Sequence, residues 1–257
     1  MFDCCLVSNS KPETRNNKLE TRNYKLFSYL RNKKATVSKY TYDYPRPAVT
    51  VDIILFAFTE NDLKTLLIKR KEPPFQGHWA YPGGFVDENE TAEEAAIREL
   101  KEETNLTGIE LNQLFANSNL NRDPRGRTVS VVFYGFVPFG GALTLPGDDA
   151  EKAQWYAIDK MPKLAFDHKL LHQKSIEKCT DLLRFKVFGK EVLPKQFNLY
   201  QLMEVYHKFL SDQNKVQFLT KKLFELKVIT VVDDKQSIFS FNESNYQLIL
   251  ENGIHLS

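Results

Sequence analysis

The spacing of apolar and polar residues changes repeatedly along the chain, and each change marks an element. AVTVDIILFAF (residues 48–58) is the run of a buried strand, END (60–62) is turn chemistry and LKTLLIKR (63–70) is a second strand, so a hairpin is expected. A proline-rich connection (71–85) leads to GGFVDENETAEEAAIRELKEETNL (83–106), whose center has helical period. Thr91 and Glu94 form a T-x-x-E capping box, and Asn105 stands where helices end in the left-handed region, predicting a helix over 92–104. Its apolar arc, Ala96, Ile97 and Leu100, should face the core. Strands are predicted at 110–119, 128–137 and 152–158, with a turn at 121–127, and an amphipathic helix over 166–185 has Asp167 as its N-cap. The tail shows helices at 199–210 and 215–226, then strands at 229–232 and 237–241, the winged-helix order. An α+β protein with a mixed sheet covered by helices follows.

Three segments result: residues 1–38 as a disordered basic tail containing the repeat ETRNNKL–ETRNYKL, 39–188 as a first domain and 189–257 as a winged helix. A formal charge of +2 excludes global attraction to nucleic acid or membrane. Three cysteines fit neither a disulfide framework nor a zinc site, and no export or membrane-spanning segment is evident, so a cytoplasmic protein with no membrane contact is expected.

The helix at 92–104 poses an electrostatic problem. Glu99, Glu102 and Glu103 fall on one narrow arc, where like charges three or four residues apart each cost a few tenths of a kcal/mol. Something must compensate. The segment fits G-x5-E-x7-R-E-U-x-E-E-x-G-U through Gly84, Glu90, Arg98, Glu99, Leu100, Glu102, Glu103 and Leu106, with Asn105 in place of the second glycine. This resembles the Nudix box, and the chain resembles the Nudix superfamily. The resemblance implies an α/β/α sandwich in which Glu99, Glu102 and Glu103, with a backbone carbonyl at Gly83 or Gly84, hold Mg²⁺ or Mn²⁺ against a pyrophosphate. Arg98 and Glu90 would complete the catalytic cluster, with Arg98 orienting carboxylates.

KRKEPPFQGHWAYPGGFVD (69–87), NRDPRGRTVSVVFYGFV (121–137), DDAEKAQWYAI (148–158) and LAFDH (164–168) extend the likeness to ADP-ribose pyrophosphatases and to Nudix-related transcriptional regulators, which add a C-terminal winged helix. The implied ligand is a nucleoside diphosphate sugar such as ADP-ribose. Arg70, Arg122, Arg125 and Arg127 are its phosphate candidates, the last two also readable as turn solvation. Trp79, with Phe75 and Tyr81, would stack on a base or simply pack. Asp148, Asp149 and Glu151 offer a general base, and Asp167 and His168 read as helix caps. In the winged helix, Lys215, Gln217, Thr220, Lys221 and Lys222 are candidate operator DNA contacts of a homodimer. Residues 191–257 nevertheless hold seven lysines against eight acidic residues, so dimerization alone is an alternative use. Two functions stand open: hydrolase, or ligand-sensing regulator with little turnover.

Overall fold

β1 (Ala48–Thr59) and β2 (Asp62–Arg70) form the expected antiparallel hairpin, closed by Glu60 and Asn61, both left-handed (φ 53° and 55°) as a two-residue turn requires. They belong to a computed structural model that describes residues 42–141, 150–183 and 186–253. From Pro47 onward the chain forms one compact unit. The expected basic tail, and Asp148 and Asp149, lie outside the described residues, as does the side chain of Glu151.

β3 (Trp79–Ala80) and β6 (Ala150–Ala157) pair antiparallel with β2, while β5 (Thr128–Phe136) runs parallel to β1 and pairs antiparallel with β4 (Leu111–Asn117). The result is a mixed six-stranded sheet ordered β3-β2-β1-β5-β4, with β6 also on β2. β1 is central and buried on both faces, which is why its sequence is a continuous apolar run. Val51, Ile53 and Leu55 pack with α1 (Ala92–Thr104), and Ile54 and Phe56 pack with α2 (His168–Leu182), giving a helix-sheet-helix sandwich. Alternate side chains of one strand thus hold both layers.

The buried face of α1 is Ala95, Ala96, Leu100, Glu103 and Thr104. Ile97 was expected in that face, but it is 57% exposed. The helix is turned so that its carboxylates, not its isoleucine, meet the sheet edge.

The C-terminal elements are β7 (Phe197–Asn198), α3 (Leu199–His207), α4 (Gln213–Glu225), β8 (Ile229–Asp233), β9 (Ile238–Phe241) and α5 (Glu243–Asn252). This is the expected winged helix with two additions: β7, which makes a three-stranded sheet ordered β7-β9-β8, and α5. Two residues are too few for a periodic signal, so β7 is invisible in sequence. Phe209, just beyond α3, contacts Phe56 (5.5 Å between centroids) and Phe188 (5.6 Å). Lys208 bonds both Asp62 and Asp159 at 2.8 Å. The winged helix is therefore seated on the α2 face of the large sheet through one continuous apolar core.

Candidate functional site

Thr91 and Glu94 make the capping box reciprocally, and Asn105 ends α1 in the left-handed conformation (φ 58°, ψ 9°). With both ends fixed, the helix presents its glutamates to residues 82–86, which are pinned along β1 by Ile53 N–H to Pro82 O and Val51 N–H to Gly84 O, each 2.8 Å. A Cβ on Gly83 would lie 2.1 Å from Val51 O, and one on Gly84 2.2 Å from Glu99 Oε1. Neither position tolerates a side chain without movement. Glu103, 7% exposed, accepts the Gly83 N–H at 2.8 Å.

Arg98 ties the remaining box residues together. It donates to Glu90 (2.6 and 2.9 Å), Glu99 (2.7 Å), Glu102 (3.1 Å) and the Phe85 carbonyl (3.0 Å). Its bonds to Glu90, foremost, and to Glu99 raise the guanidinium further above its ordinary pKa, so it stays charged. Three carboxylates thus surround one guanidinium and Glu103 lies on the same turn, an excess of negative charge built from hard oxygen donors, which suits a divalent cation such as Mg²⁺. Among the described residues no three such groups converge closely enough to encircle an ion, because Arg98 and the Gly83 amide hold them.

A small open cavity adjoins Gly83 and Gly84. At its wall Asp52 accepts from Arg122 (2.9 Å) and Ser130 and faces His168 Nε2 at 3.2 Å. Burial alone would raise the Asp52 carboxyl, but His168, Arg122 and Ser130 outweigh it and hold it well below the usual carboxylate range. Tyr81 N–H donates to His168 Nδ1 (3.0 Å), so that nitrogen carries no hydrogen and Nε2–H points to Asp52.

Asp167 stands at the N-cap position of α2, as expected, but its side chain makes no capping bond. Its carboxylate instead accepts from Asn117 at 2.7 Å and pairs with Arg122 at 3.2 Å. His168 likewise serves Asp52 and Tyr81. Both groups answer charges and donors 45 or more residues away in sequence.

Of the four arginines, Arg70, Arg122 and Arg125 line the cavity. Arg122 directs all its donor nitrogens to Asp52, Asp167, Thr50 and Thr128, which makes it a brace within the wall. Arg125 is paired with Asp123 (2.7 Å). Arg127 lies elsewhere, donating to the carbonyls of Asn119 and Thr128. Trp79 is also away from the lining, packed edge-on against Tyr156 at 5.0 Å. Tyr81 reaches the cavity, but its hydroxyl bonds His172 Nδ1 (2.7 Å). Sequence reading passed over Asp52, Asp123 and Phe166. A lone carboxylate inside the apolar run of β1 was the signal for the first.

On α4, Lys215, Gln217 and Lys221 are exposed, and Lys222 is half-exposed beside Glu225 (3.2 Å). Thr220 is a correction. It is 6% exposed with its hydroxyl bonded to Val216 O, which removes it from any DNA-facing surface.

Glutamates and one arginine wrapped around a Gly-Gly turn, opening on a guanidinium-lined cavity, define a hydrolase site of the Nudix class. A NUDIX domain model matches residues 46–179, and the chain belongs to the Nudix family. It is 49% identical over 137 residues to an ADP-ribose pyrophosphatase of Methanocaldococcus jannaschii, covering 53% of this chain and 77% of that one. It is 30% identical over 198 residues to the ADPR-responsive transcriptional repressor NtrR of Acinetobacter baylyi, covering 76% and 79%. The fold resembles a MutT/nudix family protein from Enterococcus faecalis (TM-score 0.66, 24% identity, covering 90% of this chain and 100% of that one). It also resembles Shewanella oneidensis NrtR in complex with a 27mer DNA (TM-score 0.63, 24% identity, covering 80% and 97%). No helix among the described residues is long and apolar enough to cross a membrane.

Proposed function

We propose that this protein hydrolyzes the pyrophosphate of ADP-ribose or a related nucleoside diphosphate sugar. The observation that carries the reading is the contact of Glu99 and Glu103 with Gly83–Gly84 at the edge of a cavity that also presents Arg70 and Arg125. Water would add across the P–O–P bond, releasing AMP and ribose 5-phosphate from ADP-ribose. Mg²⁺ or Mn²⁺, held by Glu99, Glu102, Glu103 and the Gly84 carbonyl, would neutralize phosphate charge and activate that water. Arg98 keeps the carboxylates oriented, Glu90 anchors Arg98, and Arg70 and Arg125 receive phosphate oxygens. The identity to the M. jannaschii pyrophosphatase supports the substrate class. The test is purified protein with Mg²⁺ and a panel of nucleoside diphosphate sugars, products resolved by chromatography. Hydrolysis of none of them refutes the reading.

A regulatory role is favored by the winged helix and by the relative named an ADPR-responsive repressor. In this second reading residues 39–188 sense the ligand and residues 189–257 bind operator DNA as a homodimer in the cytoplasm, with little or no turnover required. Lys215, Gln217, Lys221 and Lys222 lie on the exposed side of α4. Replacing Lys221 and Lys222 by Ala should weaken binding to all sequences alike, each lost phosphate contact lowering the log–log salt slope by about 0.9. Gel-shift titration against the gene's upstream region, with and without ADP-ribose, measures this. Absence of any shift at low salt would leave the winged helix a dimerization module.

A further inference from the structure

At the cavity rim two phenylalanines occupy backbone conformations that bulky residues avoid. Phe75 (φ 61°) and Phe166 (φ 50°) are both left-handed, where a Cβ crowds its own carbonyl and Gly or Asn would sit at less cost. Their rings meet edge to face, with centroids 4.8 Å apart. What the Phe166 ring touches gives the conformation a purpose: the Arg70 guanidinium lies 4.7 Å from its centroid and that of Arg125 lies 5.6 Å away. These groups come from the end of β2, from the turn at 121–127 and from the segment before α2, and they meet only here.

Two like charges converge on one aromatic ring whose negative faces attract each of them, Arg125 lying between this ring and that of Phe85, 4.8 Å away. Both cations are also tied from behind. Arg70 donates through Nε to Pro74 O (2.8 Å) and through Nη2 to Glu72 O (3.3 Å). Arg125 spends Nε and Nη2 on Asp123, and its Nη1 makes no hydrogen bond among the described residues. Arg122, by contrast, has every nitrogen engaged by the wall. The cavity therefore has one structural arginine and two that meet over a shared ring at its edge.

We propose that Phe166 is a positioning residue: its ring sets Arg70 and Arg125 as a pair of forks for the two phosphates of a pyrophosphate-bearing ligand. This rests on the proposed ligand class but not on turnover, and the experiment separates the two. Steady-state kinetics with ADP-ribose and Mg²⁺ would be measured for the full-length wild type, Phe166→Leu, Phe166→Tyr, Arg70→Lys and the double variant Phe166→Leu/Arg70→Lys. Phe166→Leu should raise KM roughly tenfold with kcat within about twofold, since it removes ground-state and transition-state binding alike. Phe166→Tyr, which keeps the ring, should stay within about twofold of wild type. The double variant should fall clearly short of the product of the two single effects, because the part of the leucine change that acts through Arg70 is already lost in Arg70→Lys while the part through Arg125 remains.

Direct titration of ADP-ribose, AMP and inorganic pyrophosphate supplies the second readout. Phe166→Leu should lose more affinity for the two diphosphates than for AMP. If the wild type binds ADP-ribose but hydrolyzes nothing, the hydrolase reading fails, and these affinities alone decide the role of Phe166. Unchanged KM and affinity in Phe166→Leu, a loss confined to kcat, or effects that simply multiply in the double variant would overturn the proposal. So would a wild type that binds neither diphosphate. Should Phe166→Leu fail to fold, Phe166→Met carries the same expectations.

Discussion

Gly84→Ala separates the site from the fold. A Cβ built there lies 2.2 Å from Glu99 Oε1 and 2.5 Å from Glu99 Cδ, and ordinary contact begins near 3.4 Å. The carboxylate must retreat by about 1.2 Å, the gap between those figures. It is the far end of a flexible side chain, so the backbone need not move. The retreat weakens the 2.7 Å ion pair with Arg98, a loss of about 1 kcal/mol that the lower chain entropy of alanine in the unfolded state offsets by about 0.4–1 kcal/mol. Net stability should change by less than about 1 kcal/mol, within about 4 °C in melting temperature. Activity should fall about 100-fold in kcat/KM, the scale of a 1 Å misplacement of a catalytic group. Gly83→Ala is the control with the opposite signature. Its Cβ strikes the Val51 carbonyl at 2.1 Å at a residue with φ 152°, so about 3 kcal/mol or more of stability should go. Paired thermal melts and ADP-ribose kinetics measure both. Near-normal kcat/KM in Gly84→Ala would refute the placement of Glu99 against the turn.

Arg122→Met should destabilize by about 3–5 kcal/mol in urea titrations, because it leaves the buried Asp52 and the half-buried Asp167 without their guanidinium. His172 is held below its ordinary pKa by burial, against a smaller raising effect of its bond to the Ile158 carbonyl. The unfolded chain therefore takes up the proton first as pH falls. The stabilizing contribution is complete above about pH 6.5 and declines below it, with a slope of at most about 1.4 kcal/mol per pH unit. His172→Gln, which can still accept from Tyr81 and donate to Ile158, should flatten that slope when stability is measured between pH 7 and 5. Asn105→Gly should change kcat by less than about twofold, since Asn105 already holds the left-handed cap; a gain of about 100-fold would show that the asparagine disables the site.

Local chemistry was legible in the sequence, and distant pairing was not. The capping box of α1, its asparagine stop and the hairpin of β1 and β2 depend on residues within a few positions of one another, and all formed as read. The charged residues of the box were legible as a set, but the rotation of α1 that exposes Ile97 depends on the Gly83–Gly84 turn docking beneath the helix. Asp167 reads as a cap because Asp commonly caps helices, yet a buried guanidinium 45 positions earlier outcompetes the helix end. Phe166 carried no signal in period or composition, since only a contact among three distant segments marks it. Arg127 resembles its neighbors in sequence and differs only in which carbonyls lie within its reach.

The most direct test of the central claim compares wild type with Glu103→Gln for ADP-ribose hydrolysis at saturating Mg²⁺. Glutamine can still accept the Gly83 amide through its side-chain oxygen, so the fold should be kept, while a buried negative charge beside the other box carboxylates is lost. Turnover by the wild type, with kcat reduced at least about 100-fold in the variant at an unchanged melting temperature, is the predicted result. Equal turnover by the two proteins would contradict the assignment of the glutamate cluster as the catalytic center.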